Sequence, residues 1–131
     1  MPLTYTLDAS RRLVKIVLRE APTLADAEAV LDHLAADPQF QPGFGVLADR
    51  WHLTSEPDEA YVRSVIEAIA GRGSRFSGMR WATVTSHLSA YRMGRLVIEP
   101  YAAKCGVAYR VFMDEAQAVE WLLEARDIPA T

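Results

Sequence analysis

The side chains able to do chemistry crowd into one stretch. Between Gly45 and Asp58 the chain carries Asp49, Arg50, Trp51, His52, Thr54 and Ser55 in close succession, and a second set, Ser86 and His87, follows later. A carboxylate, a guanidinium and imidazoles could bind an anion, move protons near neutral pH or hold a metal. Two histidines fall short of the ligand set of a catalytic zinc, and no HExxH or paired CxxC spacing is present, so neither a metal nor a cofactor is expected. Ser86-His87 lacks the Gly-x-Ser-x-Gly turn that exposes a nucleophilic serine. Gly71-x-Gly73 follows a helical pattern, the wrong context for a phosphate loop. Cys105 has no histidine nearby in sequence and reads as a small apolar residue.

Several of these residues also have structural roles. Ser55-x-x-Asp58 resembles a capping box that would start a helix near Glu56, and Glu56, Asp58 and Glu59 would favour its positive end. Asp114 with Gln117 three residues on is a second such signal, and Asp49 can serve as a loop acceptor. Trp51, placed in a loop, is the tryptophan least explained by packing.

The elements that must position this stretch follow from periodicity. Leu3 to Leu7 alternates apolar and polar residues, Asp8-Ala9-Ser10 turns, and Leu13 to Leu18 returns as a second strand. Leu24, Ala27, Val30, Leu31 and Leu34 share a helical face, which predicts a helix over Leu24 to Ala36 capped by Thr23. Val46-Leu47-Ala48 is a buried strand ending at Asp49. Val62, Val65, Ile66 and Ile69 make a second helix, closed by Gly71 or Gly73. Met79 to Thr85 is a strand. Leu88 to Lys104 is helical, with a kink or break expected near Ile98 because Pro100 removes a donor. Gly106 closes it, Ala108 to Phe112 is the last strand, and Ala118, Val119, Leu122 and Leu123 face inwards on the last helix. The order β-β-α-β-α-β-α-β-α implies an α/β fold, a five-stranded mixed and mainly parallel sheet with four helices, in one domain over residues 1–131.

Composition narrows the partners. With 131 residues, half of them hydrophobic, the chain can bury one core. A formal charge of −3 argues against nucleic acid, and no apolar run spans a bilayer. A single cysteine and no basic-then-apolar leader point to the cytoplasm.

The ending Tyr109-Arg110-Val111-Phe112-Met113-Asp114-Glu115-Ala116-Gln117-Ala118-Val119-Glu120-Trp121-Leu122 resembles the close of the SpoIIAA-like, STAS-related small bacterial proteins. The opening hairpin and the strand ending at Asp49 are similar to that family's pattern. The resemblance implies a five-stranded mixed sheet with four helices largely on one side. In STAS proteins the loop after the central strand carries an Asp-Ser-Ser/Thr-Gly-like phosphorylation motif. Here that arrangement is absent, which leaves Ser55 and Thr54 as positional candidates for phosphorylation.

In such a sheet the loops after the parallel strands meet on one rim. Asp49, Arg50, Trp51, His52, Thr54, Ser55 and His87 are therefore the expected binding residues, with Ser86, Arg92 and Asp114 nearby. The functional expectation is a non-enzymatic regulatory or interaction domain that binds a partner protein or a small apolar or anionic ligand at this rim. The alternative is a small enzyme using His52 and His87 for proton transfer beside Asp49. A homodimer through a helix face around Tyr91, Met93 and Val97 is a further option.

Overall fold

The computed structural model describes residues 3–53 and 58–124. The chain builds an α/β fold with five strands in sequential order, β1-β2-β3-β4-β5. β1 (Leu3–Asp8) and β2 (Leu13–Leu18) are antiparallel, and β3 (Gly45–Asp49), β4 (Arg80–Val84) and β5 (Ala108–Phe112) continue parallel to β2. The helices are α1 (Leu24–Ala36), α2 (Glu59–Ala70), a composite α3 (residues 88–104) and α4 (Glu115–Glu124). A short 3-10 turn, Gly73–Phe76, follows α2.

Parallel neighbours taken in chain order, joined by crossovers of one hand, put every crossover helix on the same face of the sheet. That is how the core divides. Val14, Ile16, Val46, Ala48 and Trp81 pack with Leu31, Leu34, Ile66 and Ile98 of α1, α2 and α3 in the larger cluster. On the other face Leu13, Leu47, Ala82, Val84 and Phe112 pack with Ala118 and Leu122 of α4 alone. α4 sits close: a Cβ on Gly45 would lie 3.2 Å from the Leu122 Cβ.

Local chemistry sets the helix ends. Thr23 caps α1 with a full capping box, its Oγ1 accepting from the Asp26 N–H at 3.1 Å while Asp26 accepts from the Thr23 N–H at 2.9 Å. α2 begins at Glu59, later than the expected start near Glu56, because the Asp58 carboxylate is the cap and accepts from the Ala60 N–H at 3.3 Å. Gly71 at its end is still right-handed, and Gly73, at φ 76°, makes the left-handed turn. Asp114 caps α4 by accepting from the Gln117 N–H at 3.1 Å.

α3 departs from expectation in an informative way. It is not broken near Ile98. Its α-helical start, Leu88–Met93, widens into a π turn, Gly94–Ile98, and narrows again over Glu99–Lys104. The Glu99 N–H reaches back to the Gly94 carbonyl, five residues away. Pro100 cannot donate to Leu96 and its ring crowds that carbonyl; a wider turn removes the conflict without interrupting the helix.

Among the described residues no helix is long and apolar enough to cross a membrane. The helix face around Met93 and Val97 is turned inwards, where both pack against the core. The apolar side chains left standing out on α3 are Leu88, 50% exposed, and Leu96, 76% exposed.

Candidate functional site

A cavity lies between the sheet and the three crossover helices, near the carboxyl ends of the parallel strands. Strand alternation supplies its floor: Ile16 and Leu18 from β2, Ala48 and Arg50 from β3 and its exit, Trp81, Thr83 and Thr85 from β4, Tyr109 and Val111 from β5. Arg50 and Thr85 are just past their strands but keep the register, because the Arg50 N–H bonds the Val84 carbonyl at 2.9 Å and the Thr85 N–H bonds the Phe112 carbonyl at 3.0 Å. α1 roofs the cavity with Ala27, Val30 and Leu31, α2 with Tyr61, Val62, Val65 and Ile66, and α3 with Ala90, Met93 and Gly94. The cavity volume is about 70 Å³.

The walls are mainly aliphatic and aromatic, and six lining side chains carry nitrogen or oxygen atoms: Arg50, Tyr61, Trp81, Thr83, Thr85 and Tyr109. Arg50 is the only charged residue among the lining residues, and it makes no ion pair with a described carboxylate. Burial pushes its pKa down, while the neighbouring Tyr61 and Tyr109 phenols act the other way. A guanidinium stays charged under such pressure, so the cost is borne as desolvation. Burial raises both phenols, with Arg50 opposing the rise, so they remain neutral hydroxyl donors. Part of Tyr109 reaches the surface, yet its phenol lies in interior surroundings and within hydrogen-bonding reach of Thr83. Thr85, buried, accepts from the His87 N–H at 3.2 Å, which leaves its hydroxyl proton to give.

The loops after β3 and β4 meet at the rim. The Ser86 hydroxyl donates to the Trp51 carbonyl at 2.8 Å, and the His87 Nε2–H donates to the Leu53 carbonyl at 2.7 Å. Trp51, 43% exposed, and His52, exposed, stand on this rim and do not line the cavity; nor does His87. Asp49 is one residue out of phase with Arg50 and faces the other side of the sheet. There it approaches Lys15 at 3.9 Å, which also pairs with Glu115 at 3.1 Å, and it accepts from the Trp51 N–H at 3.0 Å. Thr54 and Ser55 lie outside the described residues. Asp114 is a helix cap, and Arg92 is exposed. Of the residues anticipated from sequence, Arg50 alone among those described enters the cavity. Tyr61, Thr83, Thr85 and Tyr109 were not anticipated. The available signal was register: Val46, Ala48 and Arg50 alternate along one face, and a cation at an inward position is the anomaly.

At the opposite edge of the sheet a wider groove of about 450 Å³ runs between Ile69, Phe76, Met79, Arg80, Cys105 and Val107. Its polar groups do not converge on a buried charge. Among the described residues no group of His, Cys, Asp or Glu is arranged to hold a metal ion. No family model, no curated protein and no solved structure matches this chain.

Proposed function

We propose that this chain is a non-enzymatic binding domain whose cavity takes a small ligand with an apolar body and an anionic head. The observation that carries this reading is Arg50: a partly desolvated guanidinium, without a carboxylate partner among the described residues, set in a mainly apolar cavity whose other polar groups are uncharged. An anion seated there supplies the missing counter-charge, four hydroxyl groups can complete its hydrogen bonds, and Leu18, Val62, Val65 and Met93 receive the apolar part. The likeness to SpoIIAA-related proteins adds a regulatory role. The rim carrying Trp51 is hydrogen-bonded across to the strand exits that hold Arg50 and Thr85, so a ligand on Arg50 bears on a surface where a partner protein can dock. Neither His52 nor His87 lines this cavity, so it lends the proton-transfer reading no support.

Arg50→Met tests the reading in two measurements. Affinity for benzenesulfonate, a small anion with a single-ring apolar body, followed by calorimetric titration, should fall about tenfold to a hundredfold, the range for a hydrogen bond to a charged group. Urea unfolding of the ligand-free variant should be unchanged or shifted to higher urea, because a desolvated charge has been replaced by an apolar chain of similar length. Equal benzenesulfonate affinity in the two proteins would remove the functional assignment.

A further inference from the structure

Resting on that reading, we infer that the ligand is a monocarboxylate with a short apolar body, carrying a single negative charge. Among the described residues Arg50 is the sole charge lining the cavity. Burial is the main cause that raises the Tyr61 and Tyr109 phenols, and two carboxylates outside the lining act in the same direction, Asp26 of α1 on Tyr61 and Glu99 of α3 on Tyr109. Both are already engaged. Asp26 accepts from the Thr23 N–H at 2.9 Å, and Glu99 accepts from the Val111 N–H at 3.0 Å while facing Arg95 at 3.5 Å. The one lining cation balances one negative charge; a dianion would carry an uncompensated charge into a desolvated space, and Asp26 and Glu99 would repel it further. A carboxylate is planar and matches the fork of a guanidinium, and its remaining lone pairs can accept from the neutral hydroxyls of Tyr61, Tyr109 and Thr85.

Size limits the rest of the molecule. The cavity is small, about 70 Å³, so a short apolar body fills it and a longer tail must leave through the mouth.

The test is calorimetric titration of wild type and Arg50→Met with hexanoate, octanoate, dodecanoate, hexanol and hexyl phosphate, at about pH 5.5 and about pH 8. Between these values a phosphate monoester passes from one charge to two, its second pKa being about 6. Arg50 and the raised Tyr61 and Tyr109 phenols keep their charge states, and the carboxylates control for any other titration of the protein. Hexanoate should bind, and lose at least about tenfold in Arg50→Met. Hexyl phosphate should bind about tenfold more weakly at the higher pH than at the lower, relative to hexanoate. Affinity should climb about fourfold per methylene up to octanoate and then level off. Hexyl phosphate binding at about pH 8 as tightly as hexanoate, with the same loss in Arg50→Met, would overturn the single-charge assignment and leave the anion cavity standing. A steady rise through dodecanoate would overturn the size limit. No binding by any of these ligands, or hexanol matching hexanoate, would overturn the cavity reading itself.

Discussion

Tyrosines report how the side chains of this protein are held. Burial raises the Tyr61 and Tyr109 phenols; burial and the nearby Asp37 raise Tyr5; and a hydrogen bond to Glu67 pushes Tyr101 up to about 12. Below about pH 10 these phenols are neutral whether the chain is folded or not, so their contribution to stability is fully present. Above it the unfolded chain ionises first, and the contribution is lost as pH rises towards the folded values. The expected result is a phenolate absorbance titration of the native protein delayed to higher pH than in urea, and an unfolding midpoint in urea that falls as pH is raised above about 10. A native titration matching the unfolded one would show that the cavity phenols are not enclosed. At this scale the sequence was only partly legible. Arg50 stands out in the sequence for its place in a loop, whereas it enters the cavity from a strand register. Thr83, Thr85 and Tyr109 went unseen because strand residues of those types ordinarily mean nothing beyond a good fit to a pleated surface.

Elements were far more legible, because period and caps are local signals. The ranges of β2, α1 and β5 came out as read, and Thr23 and Asp114 cap as their side chains predict. The start of α2 and the form of α3 did not, since each depends on a choice among neighbouring residues that spacing alone leaves open. Gly94 shows what the sequence withheld about α3. A Cβ there would lie 2.6 Å from Val111 Cγ1 and 2.9 Å from Val111 Cβ, so the helix can approach β5 only with glycine at this point. Val111 is β-branched and stiff, and cannot swing aside cheaply. Gly94→Ala should therefore cost about 1–3 kcal/mol by urea unfolding. Adding Val111→Ala should make the double variant more stable than the sum of the two changes predicts, which a double-mutant cycle measures. Additive effects would mean that the two residues are not in contact.

For the molecule as a whole, the sequential strand order gathers three helices on one face and leaves α4 to cover the other. Leu122, 2% exposed, is its deepest large residue. Leu122→Ala should destabilise by about 2–5 kcal/mol in urea and make the protein bind hydrophobic dyes outside the cavity, a signal that hexanoate does not displace. Dye binding fully displaced by hexanoate would show that the second face stays covered. The edge at β5 is guarded differently: the Glu99 carboxylate occupies the Val111 amide, which is thus withheld from an incoming strand.

α4 follows all five strands in the chain, and this gives the protein a timetable. As the polypeptide leaves the ribosome, the sheet and its three crossover helices can assemble while Leu13, Leu47, Ala82, Val84 and Phe112 still face water. For the interval until α4 emerges, the nascent chain carries a bare apolar plane that chaperones can hold and other nascent chains can stick to.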